Sequence, residues 1–413
     1  MSRTRAGVAG LVPPIGRTTW LLLALNLLSC FGSGLTKPFL IVYLHEARGI
    51  GLGTAGLLLS SIGFAGVVAM PLAGVLIDRI GPVRAFAAGQ VLGGVGTAWF
   101  VLAATPGMAL VACLLLGASG GITTNGLSTL LAVVVPVEQR GAAFGLGYTT
   151  YNLGTGVGAV AAGFVISFGS TTAYTTVFLV DGASFLVFAV ALLALERRVP
   201  AHRRATGRHD IGYRVVLADR ALLAAFLLNT LFWAVALSQT TVAFPAWATG
   251  PAGVSTAVVG VAFAVNTAVL ALSQLLVIRR SKGYRRTSLA AVAGLLFATA
   301  WLLMVPATGG VLLVFAMAVF ALGEAALAPT LPALINDLAD ADLRGRYNAV
   351  FNLSSQVGQI VGPAVAGWLL GGGNGVLLLA TLAGTCLVAS AACLAARRVI
   401  PPGADRTADQ AAD

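Results

Sequence analysis

The chain has 413 residues, of which 58% are apolar and only 9% charged, with a mean hydropathy of +0.93. A soluble domain of this composition would expose apolar surface on a large scale, so soluble classes are excluded and the solvent must be lipid. The formal charge of +11 would suit a nucleic-acid partner, but its placement in short connections between apolar runs fits a membrane topology instead.

A helix rising about 1.5 Å per residue needs roughly 20 apolar residues to cross about 30 Å of hydrocarbon. Twelve charge-poor runs of that length are present, at 19–44, 53–77, 83–104, 108–135, 141–168, 172–195, 218–247, 254–278, 287–306, 310–336, 345–370 and 374–396. They are too long for the alternating strands of an outer-membrane barrel, so the expected fold is an all-α integral membrane protein of twelve transmembrane helices. All of the 25 Lys and Arg residues except Lys37 and Arg48 lie at the N-terminus, in loops after even-numbered spans or in the C-terminal tail. By the positive-inside rule both termini are cytoplasmic, in an inner (cytoplasmic) membrane. The expected organisation is an N-terminal segment 1–18, a six-helix half 19–195, a basic linker 196–217, a second six-helix half 218–396 and a tail 397–413.

Span 1 follows Arg3, Arg5 and Arg17, as a signal sequence would, but it is about 26 residues long and lacks a small-residue cleavage site, so it is read as retained. It carries Asn26 and Lys37. Lys37 lies roughly 10 Å from the outer end, where its stem either snorkels to the headgroups or pairs inside a cavity. Span 2 leads into Gly74-Val-Leu-Ile-Asp78-Arg79-Ile-Gly81-Pro-Val-Arg84. The glycines permit a tight turn, the acid can face a helix N-terminus, and the arginines can pair with acids or helix C-termini. This stretch resembles motif A of the major facilitator superfamily, G-x-L-x-D-R-x-G-x-x-R, and with twelve spans in two halves the resemblance covers essentially the whole chain. It implies a monomer whose helices 1, 4, 7 and 10 line a cavity. It also implies a cytoplasmic latch of Gly74, Asp78, Arg79, Gly81 and Arg84, with Asp78 facing the region of Arg344 to Asn348.

Span 4 holds Asn125, and Gly117 stands where similar drug:proton antiporters carry an arginine. Span 5 keeps two glycines of the antiporter pattern, Gly154 and Gly158, but has Ala159 in place of proline; span 11 has Gly358, Gly362, Pro363 and Gly367. Proton-coupled export is therefore a lean drawn from the resemblance. Span 5 also presents an aromatic and amphipathic face of Phe144, Tyr148, Tyr151, Asn152 and Thr155. Asp181 in span 6 lies about 14 Å from the outside, where structural pairing competes with proton coupling.

Beyond the basic linker, Asn229 and Trp233 in span 7 and Asn266 in span 8 are cavity candidates, with interhelical hydrogen bonding as the alternative. The loop between spans 8 and 9 keeps only Gly283 and basic residues, a degenerate second latch. Glu324 lies near the middle of span 10. An ionisable residue there costs on the order of 3 kcal/mol on insertion scales and needs a partner, water or a function. Glu324 is the first candidate for proton coupling, ahead of Asp181 and Lys37, with a permanently bonded packing acid as the other reading. In span 11, Asn348, Asn352, Ser355, Gln356 and Gln359 recur every three or four residues and share one face. An amide-rich wall opposite an aromatic one suits an amphipathic organic solute.

A shift of 204 residues brings Arg140-Gly141 onto Arg344-Gly345, Glu138 onto Asp342, and Gly154, Gly158 and Gly163 onto Gly358, Gly362 and Gly367. Such coincidence at half the chain length predicts two parallel repeats with a substrate site at their interface. Cys30, Cys113, Cys386 and Cys393 fall within spans as packing residues, no metal-ligand spacing occurs and no cofactor is expected. There is no nucleotide loop and no nucleophile with a base, so an enzyme is not expected. The expectation is a secondary transporter exporting a small amphipathic molecule against protons; the alternatives are a symporter or facilitator importing a metabolite, and a membrane sensor that does not transport.

Overall fold

The computed structural model describes residues 15–124, 126–136, 139–167, 170–198, 213–281, 283–340 and 342–406. The described residues form an all-α protein, as lipid demands: backbone polar groups with no water to bond must bond to one another along each helix. In chain order the long helices are α1 (Arg17–Ala47), α2 (Leu52–Ile80), α3 (Pro82–Leu102), α4 (Pro106–Val134), α5 (Arg140–Ile166), α6 (Thr171–Leu195), α7 (Arg220–Thr249), α8 (Thr256–Arg280), α9 (Arg286–Met304), α10 (Gly310–Leu338), α11 (Arg344–Gly371) and α12 (Gly375–Ala396). Ten of these are long and apolar enough to cross a membrane. The other two, α5 and α11, are as long, at 27 and 28 residues, but less apolar. Both carry glycines that pack on other helices and, beside them, polar residues, so a count of charge-free runs includes them where a count of apolar ones does not.

Local chemistry sets the helix ends. Pro82 and Pro106 occupy first-turn positions, where a missing N–H costs nothing. The Thr105 and Ser170 hydroxyls accept from Met108 N and Ala173 N at 3.3 and 3.2 Å, capping α4 and α6. Asp219 caps α7, accepting from Ala221 N at 2.8 Å. Gly81, at φ 84°, makes the sharp turn from α2 to α3 that a side chain would strain.

Within residues 15–198, α1 packs on α5 and α6, and α3 on α4 and α6, with α2 on α4. Within 213–406 the pairs are α7 on α11 and α12, α9 on α10 and α12, and α8 on α10. Each pair of the first set thus has its counterpart six helices later. The two sets meet along α2 with α11 and α5 with α8.

These crossings are close at the end away from the Arg-rich loops. A Cβ on Gly56 would stand 2.7 Å from Gly367 Cα, and one on Gly163 2.7 Å from Thr256 O, so the glycines allow backbone to touch backbone. Thr256 Oγ1 donates to Gly163 O at 3.1 Å across the same seam. Along α2 the approach continues through Gly63 against Gln359 and Ile360 to Gly66 beside Gln356; at Gly74 on α2 and Gly345 on α11, toward the basic end, open space replaces it. The halves are closed together at one end and parted at the other.

Two helices break on the closed side. α1 is regular to Thr36, then passes through a 3-10 turn at Lys37–Phe39 and a π turn at Tyr43–Ala47. α7 is regular to Val235, then takes a 3-10 turn at Leu237–Thr240 before Ala243–Thr249. The pieces Leu40–Val42 and Ala243–Thr249 pack on each other and add to the seal. At the basic end, the expected linker is described only as a turn at Glu196–Arg198 and a short helix at Tyr213–Leu217; its middle, like Glu138 of the repeat, lies outside the described residues.

Candidate functional site

Glu324 sits on α10 with a small apolar cluster of Leu270, Ala321 and Ala325 next to it. Asn266 on α8 donates to Glu324 Oε2 at 2.8 Å and also reaches Met317 O at 3.4 Å. The carboxylate therefore joins two helices of the second half through one neutral amide. No cation forms an ion pair with it among the described residues. Tyr148, on α5 of the first half, lies within the electrostatic reach of Glu324 and beside Gln274 of α8. Tyr148 and Tyr151 are 43% and 49% exposed, so their rings border open space rather than a packed core. Asn152 and Thr155 bond back to Tyr148 O and Tyr151 O at 2.9 and 2.8 Å. Local carbonyls thus satisfy their polar groups, leaving the aromatic edges as the main feature of this wall.

The other residues singled out in the sequence divide by partner. Asn26 donates to Thr150 Oγ1 at 2.9 Å, tying α1 to α5. Asn229 is buried and donates to Ser354 Oγ at 2.6 Å and Ser355 Oγ at 2.9 Å, tying α7 to α11. Asn348 bonds to Asn336 Oδ1 and Arg344 O, both at 2.9 Å, and holds the start of α11 against the end of α10. Asn352, Gln356, Gln359 and Trp233 are half-buried; Gln356 reaches toward Gly66 of α2, and the Trp233 side chain rests over Gly358. Asn125 lies outside the described residues.

Asp181 is not brought to Glu324. It is buried on α6, where Thr36 Oγ1 of α1 donates to its Oδ2 at 2.6 Å. Lys37, next in the chain, is exposed and acts on Asp181 through its charge without forming an ion pair. In the motif A segment, Gly74, Asp78 and Arg79 are exposed at the basic end, as is Arg344. Arg84 pairs with Glu196 at the end of α6, with Nε 2.7 Å from the carboxylate, so it links helices within one half.

Sequence reasoning missed an acid-rich arrangement on the second half. The turn at Gly283, φ 77°, leads to Arg286, which is buried and pairs with Asp337 of α10 at 2.6 Å while donating to Ala404 O of the tail at 2.6 Å. Asp405 then accepts from Thr287 N at 2.9 Å and Thr287 Oγ1 at 3.0 Å, capping α9. The loop between α8 and α9 holds no acid, and α10 and the tail supply them. The signal was a lone acid after Pro401-Pro402, unreadable without knowing that the tail folds back.

The sequence profile of the Major Facilitator Superfamily matches residues 22–281 and 236–412. The chain belongs to this family. It is therefore a multi-pass membrane transporter of small molecules, a class that works by alternating access and not an enzyme class. It is 26% identical over 353 residues to the multidrug resistance protein MdtH of Photorhabdus laumondii, covering 84% of this chain and 86% of that protein. It is 25% identical over 361 residues to a Na(+), Li(+), K(+)/H(+) antiporter of Planococcus maritimus, covering 79% of this chain and 83% of that protein. A crystal structure of a POT family transporter in complex with 5-aminolevulinic acid shares the fold, with a TM-score of 0.76 at 15% identity over 96% of this chain and 100% of that one.

Proposed function

We propose that this chain is a proton-coupled exporter of small amphipathic molecules, with Glu324 as the group that carries the proton. The observation that carries the reading is the placement of Glu324: a carboxylate held by the neutral amide of Asn266, within electrostatic reach of Tyr148 of the other half. A carboxylic acid and an amphipathic cation can compete for such a position, because each neutralises a charge that lipid surroundings disfavour. Tyr148 and Tyr151 would stack on the apolar part of the solute, and Asn352, Gln356 and Gln359 would meet its polar groups. The names of two relatives, a multidrug resistance protein and a cation/proton antiporter, support this direction of coupling.

In this reading the chain crosses an inner membrane twelve times as a monomer, α5 and α11 included, in two parallel repeats, 19–195 and 218–396. Its basic end and both termini are cytoplasmic, and the conformation described is open to the cytoplasm. In the alternate state Asp78 would approach the start of α11 and close that end, with Arg79, Gly81 and Arg84 shaping the turn.

The test is a pH-gradient assay in proteoliposomes across lipophilic cations and neutral amphiphiles, comparing the parent chain with Glu324→Gln. Substrate-driven proton movement is expected in the parent and absent in the variant. Flux without proton movement in the parent would point to a facilitator and sink the coupling role; substrate binding without flux would point to a sensor.

A further inference from the structure

The first half holds a buried carboxylate that the proposed exchange at Glu324 does not use. Asp181 is 1% exposed. Its Oδ2 accepts from Thr36 Oγ1, while Oδ1 is buried with no hydrogen-bond partner. Oδ1 points over Gly32 of α1, where a Cβ would stand 2.6 Å from it, and Ser184 Oγ converges on the same space. Ser184 donates its own proton to Asp181 O at 2.8 Å, so its oxygen is left as an acceptor on that side. An ionised carboxylate in a span with a single hydrogen bond is costly, whereas a neutral acid with Oδ1–H directed at this space is not.

The place of this acid in the fold gives it a consequence. Thr36 is the last residue of the regular part of α1, and its backbone, at φ −107° and ψ −48°, already departs from the helix. Beyond it, Leu40–Val42 meets Ala243–Thr249 of α7 in the closed end. Tyr43 donates to Phe100 O at 2.5 Å, and Arg48 Nε donates to Tyr43 Oη at 2.6 Å, fixing the same tip to α3. The Asp181 to Thr36 bond thus stands at the joint between the stem of α1 and its sealing tip. Of the titratable groups on the packed helices, Lys37 and Cys30 of α1 lie within electrostatic reach of Asp181; α3 turns Gly94 and Ala98 toward the adjacent Gly182.

We propose that Asp181 is a second proton-binding site, separate from Glu324, whose protonation holds the tip of α1 in the closed position at the end away from the basic loops. When the proton leaves for water, the carboxylate needs a second donor or a counter-charge. Lys37, one residue past the joint, supplies it by drawing in and displacing the 3-10 turn on which the tip rides. A chain with a titrating acid in each half would move two protons per cycle, one on each side of the central cleft.

The experiment uses the full chain in lipid nanodiscs, with spin labels on cysteines introduced at Ala104 and Thr308. These are exposed loop positions, one in each half, at the closed end, and the native thiols are buried or half-buried. The label-to-label distance distribution is read across a pH series. The parent is expected to pass from short to long distances as pH rises. Glu324→Gln should keep that passage, and Asp181→Asn, fixed in the neutral form, should stay short throughout. Should Asp181→Asn fail to fold, Thr36→Val and Lys37→Gln carry the test, each displacing the midpoint. A parent that does not respond to pH, an Asp181→Asn chain that titrates as the parent does, unmoved midpoints in both substitutes, or a response abolished by Glu324→Gln alone would each overturn the proposal. The last result would leave Glu324 as the sole carrier; loss of proton-coupled flux tests that role on its own in proteoliposomes.

Discussion

Asn26, Asn229 and Asn266 are alike in the sequence, each a lone amide in an apolar run, and their partners set them apart. Asn26 and Asn229 spend their donors on hydroxyls of neighbouring helices, while Asn266 holds a carboxylate. Interhelical hydrogen bonds in membranes average about 0.6 kcal/mol and reach about 1.7. Asn229→Ala should therefore cost roughly 1 kcal/mol of stability, seen as a lower thermal midpoint in detergent, with transport retained by the molecules that stay folded. Asn266→Ala should cost a similar amount but also change the pH at which transport is half-maximal, because it removes the donor to Glu324; an unchanged pH profile would argue against Glu324 as the coupling acid. Sequence could nominate Glu324 from its cost in lipid, but not Asn266 as its holder. The pairing joins residues 58 positions apart, and hydropathy carries no record of it.

At the scale of elements, the helices that fail as purely apolar spans, α5 and α11, explain themselves by what they touch. Gly156 and Gly163 admit α8, and Gly367 admits α2. The repeated glycines were legible as a sequence coincidence, and the structure gives them a role in close approach. Gly56→Val would push a branched side chain into Pro363 O and Gly367 Cα. It should hold that end open and slow transport by a large factor, with cross-linking of cysteines across α2 and α11 falling in parallel; undiminished cross-linking would refute the packing role. The tail behaves as an added element. Asp405 is buried and satisfies Thr287 N, so Asp405→Ala should cost about 1–2 kcal/mol in the manner of a lost N-cap. Hydrogen exchange should quicken at the first turn of α9 while the first half stays unchanged. Nothing in the period of hydrophobicity could announce this contact, because four residues of one turn carry no pattern.

At the scale of the whole molecule, composition alone identified lipid as the solvent, and the run lengths predicted nearly every long helix to within a few residues. That legibility has a simple cause: a spanning helix must be apolar over its full length, so the constraint is written into contiguous sequence. The distribution of arginines argues that the termini share one side. Reporter fusions after Arg398 and within the 199–212 connection should both report the cytoplasm; opposite reports would mean an odd number of crossings between them. The opening of the molecule at one end was not legible, since both ends of each helix carry the same residue types whether or not they touch across the cleft.

The two ends of the cleft are lined differently, so the proposed closure of Asp78 on the start of α11 should make the two half-cycles respond differently to salt. The closed seam is backbone against backbone with a hydroxyl across it, and such contact is indifferent to ions. The basic end instead exposes Asp78, Arg79 and Arg344, and the attraction proposed to close it would be screened beyond about 8 Å at physiological ionic strength. Raising ionic strength on the basic side alone should slow the half-cycle that closes that end, while the same change on the other side should slow turnover less.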